Sequence, residues 1–409
     1  MRIKILSMLI FSIVIFYVCI SNFYQVSPTV TSSYFQNIFN INEMTLAKIV
    51  SAYFITYSIM QIPNGILIDR FGISKVLPMG LTLTVIGSIV SYYANSTALL
   101  AFSRLLIGLG CSCAFVGALY IAATYFKAIL LPILIGLTEA ISTLGYILAT
   151  NSYSAAINRY GFYTTEKALI IINLIILITL SLLLKLRAHK HSIKNNIKLS
   201  EIFKNGISLF KKPIFTSIII YTFFTWMQIM TFAGYWGKRY FEIMHDYSKS
   251  HALFLMGVFW AGYLIMSLLV GPLSRNFFSK KTLLFILSFI GVCTSIIITL
   301  PILYSYTTLV SLIFLLGTSI AGIILGFSII SEVAPSSIRG SAIATNNTVL
   351  VLGGLFGQYL FGLLLTYDGL IKILPTEINP YYYSAILLLP ISAIIAFLAI
   401  LYGTRRYSK

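Results

Sequence analysis

Twelve stretches of about 20 mainly apolar residues, separated by short polar turns, take up most of the 409 residues. A helix needs about 20 such residues to cross the hydrocarbon core of a bilayer. In lipid a spanning segment must satisfy its own backbone hydrogen bonds, so helices are the form these runs can take. Only 9% of the residues are charged, against about 25% in a soluble domain. The expectation is an all-α membrane protein with twelve transmembrane helices. The runs fall near 5–35, 45–67, 76–94, 98–124, 132–156 and 167–186, then near 213–237, 250–272, 282–301, 307–330, 341–365 and 381–403. The first run follows Arg2 and Lys4 with no Ala-x-Ala-like cleavage site after it, and reads as an uncleaved span.

The net charge is +18, which on a soluble protein would point to nucleic acid. Placement decides otherwise. One set of alternate loops holds Arg2, Lys4, Arg70, Lys75, Lys127, the run between Lys185 and Lys212, Arg275, Lys280, Lys281, Arg339, Arg405, Arg406 and Lys409. The other set holds only Lys48, Arg159, Lys167, Lys238, Arg239, Lys249 and Lys372. Positive residues stay on the cytoplasmic side, so both termini and the central loop are expected there, and nucleic acid is not an expected partner. The chain divides into a six-helix bundle at 1–187, a cytoplasmic linker at 188–212 and a second six-helix bundle at 213–409. In the linker, Leu199, Ile202, Phe203, Ile207 and Phe210 recur at helical spacing among lysines. That suggests an amphipathic helix on the inner membrane face, in contact with anionic lipid; a solvated connector is compatible with the same pattern.

Between the second and third runs lies Gly65-x-x-x-Asp69-Arg70-x-Gly72-x-x-Lys75. A degraded copy, Gly271-Pro-Leu-Ser-Arg275-Asn276-Phe-Phe-Ser-Lys280-Lys281, follows 206 residues later. The fourth run opens with Arg104-x-x-x-Gly108-x-Gly110. Together with the twelve runs, these motifs resemble the major facilitator superfamily of secondary transporters, whose signature loop joins helices 2 and 3. Asn22 through Val26-Ser-Pro28, with Tyr57-Ser-Ile-Met-Gln61-Ile-Pro63, is similar to a bacterial branch of small-solute permeases. The resemblance implies two pseudo-symmetric six-helix bundles with a substrate site between them near mid-membrane. It also implies that Gly65, Asp69, Arg70, Gly72 and Lys75 form a gating latch. Glu332 and Arg339, in Glu-x-x-Pro-x-x-x-Arg-Gly, are the expected partners.

Arg104 and Glu139 are the ionisable residues placed well inside a run; the remaining acids are assigned to loops or span ends. A charge at bilayer depth costs roughly 2.5–3.5 kcal/mol on insertion scales, so each needs a reason. One reason is a cavity, where Arg104 attracts an anionic group and Glu139 binds a proton or a substrate amine. The other is a structural ion pair or hydrogen-bond network. The superfamily often ties an arginine at the position of Arg104 to proton coupling. Arg104 and Glu139 enter their helices from opposite ends, so separate roles and a pair are both open. Tyr53, Tyr57, Gln61 and Asn64 form a polar stripe at i, i+4, i+8 and i+11, facing either protein or water. Gln25, Tyr57, Gln61, Trp226, Gln228 and Asn346 are further cavity candidates, because amides and aromatic rings suit polar organic solutes.

Cys19, Cys111, Cys113 and Cys293 all lie within apolar runs and read as packing residues. No cofactor and no metal site is expected, and no nucleophile–base pair marks an enzyme. The leading expectation is a monomeric transporter in a bacterial inner membrane. It would move an amino acid, dipeptide or organic anion by alternating access with proton symport. An exporter of a siderophore or metabolite, and a non-transporting receptor on the same scaffold, are the competing readings. The fifth run lacks the Gly-Pro antiporter signature of the superfamily, which weighs against drug or cation efflux by proton antiport.

Overall fold

The computed structural model describes residues 2–41, 43–188, 206–300, 302, 304–364 and 385–407. Most of the linker, including Leu199, Ile202 and Phe203, lies outside them. Among the described residues nine stretches are long and apolar enough to cross a membrane. Two other long helices, at the expected second and eleventh spans, carry the polar residues Gln61 and Asn64, and Asn346, Asn347 and Gln358.

The first half contains α1 (Arg2–Val26), α2 (Pro28–Phe39), α3 (Glu43–Phe71), α4 (Ile73–Tyr92), α5 (Thr97–Cys111), α6 (Ala114–Tyr125), α7 (Leu131–Ile147), α8 (Tyr153–Tyr160) and α9 (Phe162–Ala188). The second half contains α10 (Pro213–Gln228), α11 (Gly237–Met244), α12 (Lys249–Asn276), α13 (Lys280–Thr299), α14 (Tyr306–Ile320), α15 (Gly322–Val333), α16 (Arg339–Leu364) and α17 (Leu388–Tyr407). Several expected single spans are interrupted. Pro28 separates α1 from α2, a turn at Ser112–Cys113 separates α5 from α6, and Ala321 separates α14 from α15. The fifth and seventh runs contain π-helical segments at Leu148–Ser152 and Ile229–Trp236. Such segments leave carbonyls out of the regular ladder; Gln358 Nε2 donates to one of these, Met230 O, at 3.2 Å.

The helices group into two units. One comprises 1–127, 137–206 and 334–345; the other comprises 128–136, 207–333 and 346–409. In the first, α4 packs on α5 and α9, and α3 packs on α5. In the second, α10 packs on α17, α12 on α14, and α13 on both α14 and α17. Each unit therefore contains a short piece of sequence-distant helix, and the sequence motif and its copy mark where those pieces are gripped. A Cβ on Gly65 would stand 2.5 Å from Ala344 Cβ and 2.7 Å from Gly340 O. A Cβ on Gly271 would stand 2.6 Å from Ile133 Cα. The glycine kept in both copies thus lets the helices touch backbone to backbone, as do Gly340 opposite Gly65 and Gly136 beside Ser267.

Candidate functional site

Arg104 is held by a defect in the neighbouring helix. Pro28 has no N–H, so the carbonyl four residues earlier, Tyr24 O, loses its helical donor. Arg104 Nη2 supplies one at 2.7 Å. The guanidinium also lies 5.1 Å from the Tyr53 ring centroid, a cation–π distance. Gly108 and Gly110 bring α5 close enough for this. A side chain on Gly108 would strike the backbone of Tyr53 in α3, and one on Gly110 would strike Thr84 and Gly80 in α4. Arg104 is 6% exposed, and its Nε has no hydrogen-bond partner among the described residues.

Glu139 sits elsewhere. It is buried on α7, within electrostatic reach of Tyr146. Tyr146 donates to Gln25 Oε1 at 2.9 Å, and nearby Asn22 Nδ2 donates to Ser142 O at 3.2 Å. Tyr57 also lies in electrostatic reach of Tyr146 and stacks on Tyr53 at 5.6 Å. Gln25, Tyr57 and Glu139 therefore converge on one tyrosine, whereas Arg104 lines a different cavity that Glu139 does not reach. The pairing left open by the sequence is resolved as two separate places.

The polar stripe on α3 faces the interior of its unit. Tyr53 and Gln61 are fully buried, Tyr53 donates to Ser21 O at 3.0 Å, and Asn64 donates to Ser112 Oγ at 2.7 Å. In the second unit Asn346 Oδ1 accepts from Thr222 at 2.8 Å, while its Nδ2 is buried without a partner among the described residues. Gln228 makes a long contact to Phe224 O, 3.5 Å away. Trp226 is half-buried, with its Cδ1 3.0 Å from where a Gly354 Cβ would be.

The signature loop ends α3 and starts α4. Gly72 takes φ +78°, in the left-handed region, and forms the N-cap of α4. Asp69 is 2% exposed and accepts three hydrogen bonds: Gly340 N at 2.8 Å, Ser341 N at 2.7 Å and Ser341 Oγ at 2.6 Å. Its oxygens thus cap the first turn of α16, where free N–H groups and the positive helix end favour an anion. The partners differ from those expected. Glu332 pairs with Lys280, which also donates to Ser328 at 2.9 Å. Arg339 Nη1 donates to Ala123 O at 3.0 Å, leaving its guanidinium a longer-range neighbour of Asp69. Arg70 and Lys75 are exposed, with Arg70 over the adjacent Phe71 ring. The physical reason is burial: backbone donors reach an enclosed carboxylate without desolvating a second charge.

One acid lies deeper than the sequence suggests. With the sixth run drawn from 167, Glu166 falls in a loop. Instead α9 begins at Phe162, directly after Gly161 with φ +81°. That puts Glu166 a full turn inside the helix and only 5% exposed. Gly161 followed by Phe162-Tyr163 is the available signal, a helix stop and then an aromatic start.

Residues 9–358 match the family model described as Major Facilitator Superfamily. The chain belongs to the major facilitator superfamily. Its members are transporters rather than enzymes, and their fold is twelve transmembrane helices in two six-helix bundles. An uncharacterised MFS-type transporter, YcxA of Bacillus subtilis (strain 168), is 28% identical over 334 residues, covering 80% of each chain. Two solved structures share the fold at lower identity. A bacterial homologue of the iron transporter ferroportin, in an outward-facing state with soaked iron, is 14% identical with TM-score 0.76, covering 96% of this chain and 99% of that one. A variant of the E. coli fucose:proton symporter FucP is 15% identical with TM-score 0.75, covering 97% of this chain and 99% of that one. The superfamily assignment makes this a multi-pass membrane transporter.

Proposed function

We propose that this superfamily member is a proton-coupled symporter of a small polar organic solute, an amino acid, dipeptide or organic anion. It works by alternating access in the bacterial inner membrane, as a monomer with both termini in the cytoplasm. The observation that carries the reading is the convergence of Gln25, Tyr57 and Glu139 on Tyr146. A carboxyl, an amide and phenol hydroxyls together offer donors, acceptors and a titratable charge to a polar solute. Gln61, Trp226, Gln228 and Asn346 supply further amide and aromatic groups, and Arg104 supplies a cation. Amides and rings bind by hydrogen bonding and stacking, which suits an organic solute. The FucP likeness is compatible with proton coupling and leaves the solute open.

In this reading the Asp69 contact is the gate. It grips the first turn of α16 through hydrogen bonds that can break and reform without stranding a second ion. Gly65 and Gly72 shape the grip, and Arg70 and Lys75 flank it at the membrane surface.

The test starts from a solute chosen by thermal shift of the purified protein. In proteoliposomes with an inward proton gradient, the wild-type protein should accumulate that solute. Glu139→Gln should equilibrate it without accumulation. Uphill accumulation by the variant would remove Glu139 from the coupling step.

A further inference from the structure

Arg104, Glu166 and a small cavity between them form a group of their own within the first unit. The cavity measures ≈ 30 Å³ and is lined by both side chains together with Tyr24, Ser27, Ser91 and Tyr153. A water needs about 10–15 Å³ of such space and two to four polar partners, so one or two waters fit. Tyr153 donates its hydroxyl to Glu166 Oε1, which leaves Oε2 uncommitted to Tyr153. Arg104 makes no direct ion pair among the described residues, and its buried Nε is without a partner there. A carboxyl and a guanidinium that line one small cavity without forming an ion pair are joined most economically through water at the polar groups there.

We propose that Glu166 is a proton-binding site, loaded and unloaded through this cavity, with Arg104 as the fixed counter-charge. The proposal deepens the proton-coupled reading given above and rests on it for its role in transport. Loading forms an O–H bond at Oε2 with a proton from hydronium in the cavity and leaves neutral water. Unloading returns the proton to water and restores the carboxylate beside Arg104. Because Arg104 keeps its charge throughout, each loading changes the local net charge by one.

The surrounding elements supply what such a site requires. Facing Glu166 are Arg104 of α5, Tyr153 of α8 and Tyr24 of α1. Among the described residues, α2, α3 and α4 line the cavity with groups that do not titrate, Thr31, Ile49, Val50 and Ser91 among them. Tyr24 is anchored in turn, accepting from Asn173 Nδ2 at 2.7 Å and sharing a hydrogen bond with Ser88 Oγ at 2.8 Å. Among the described residues Glu166 is therefore the one carboxyl lining this cavity, flanked by fixed phenols and a permanent cation. Oppositely charged neighbours shift a carboxyl by about 1–3 pH units, so Arg104 should set where the site titrates.

The experiment is infrared difference spectroscopy of the purified full-length protein, without solute or gradient, as pH is changed. It is done in a Glu139→Gln, Asp69→Asn background so that the other two buried acids among the described residues are silent. A protonated-carboxyl band should appear on acidification and vanish when Glu166→Gln is added. In Arg104→Met protein the band should titrate at least about one unit higher. A band that survives Glu166→Gln, or a midpoint that Arg104→Met leaves unmoved, overturns the proposal. Because no solute is present, such a failure leaves the transport reading standing, and a failure to transport would leave this titration untouched.

Discussion

Asp69→Asn should free residues 334–345, with amide hydrogen exchange there rising roughly 30- to 100-fold. The wild-type carboxylate accepts from two backbone N–H groups and one hydroxyl. An orphaned buried donor costs about 1–3 kcal/mol. Asparagine keeps one acceptor but turns an NH2 toward a donor, so at least one of the three contacts is lost and another becomes repulsive. A net loss of about 2–3 kcal/mol corresponds to the exchange factor given, since 1.4 kcal/mol is tenfold.

The same contact has a pH dependence with a definite sign. Asp69 lies beyond the apolar run 45–67, at the membrane surface. Burial pushes its carboxyl up to about 6, against the opposing pull of Ser341, Gly340 and the Arg339 charge. A carboxyl raised in the closed arrangement favours that arrangement when protonated. The contribution is therefore complete below the exposed value of 3.8 and is lost as pH rises through about 6. After correction for intrinsic exchange, opening of 334–345 should increase roughly tenfold between pH 5 and pH 7 in the wild-type protein. In Asp69→Asn it should be flat. An unchanged exchange rate in the variant would remove Asp69 from the gate.

Arg104→Met should destabilise the protein by about 3–5 kcal/mol, the penalty for removing one member of a buried charge group. Methionine retains the stem volume, so the loss is electrostatic and hydrogen-bonding in origin. Two groups are left behind: the Tyr24 carbonyl, which Pro28 had already deprived of its helical donor and which keeps only a long 3.5 Å contact from Ser27 Oγ, and the Glu166 carboxyl. Neutralising the second of these with Glu166→Gln should restore part of the loss. The expected coupling in the double-mutant cycle is about 1–3 kcal/mol, read from denaturant or thermal unfolding in lipid nanodiscs. Strictly additive losses would mean that the two residues do not sense one another across the cavity.

The fold class is legible in the sequence because the bilayer imposes a length and a polarity that twelve runs repeat. The motif glycines are legible too, since close helix contact has few chemical solutions. Two kinds of information are hidden. Helix breaks such as the π-helical segments at Leu148–Ser152 and Ile229–Trp236 arise from packing between distant segments, and no local signal precedes them. The motif suggests charged side chains as partners of Asp69, whereas the structure uses backbone N–H groups, which nearly every residue carries and a motif search cannot see. Glu166 escapes notice for a different reason. Lys167 beside it looks like a boundary, yet on a helix adjacent residues point about 100° apart, so one is buried and the other exposed.

In the proposed cycle solute and proton move together through this protein. The most direct measurement is lumenal pH in proteoliposomes carrying a trapped pH dye, with membrane potential clamped at zero and a thermal-shift-selected solute added outside. Lumenal acidification that follows solute entry is the predicted result. Solute accumulating inside while the lumenal pH stays flat would contradict it.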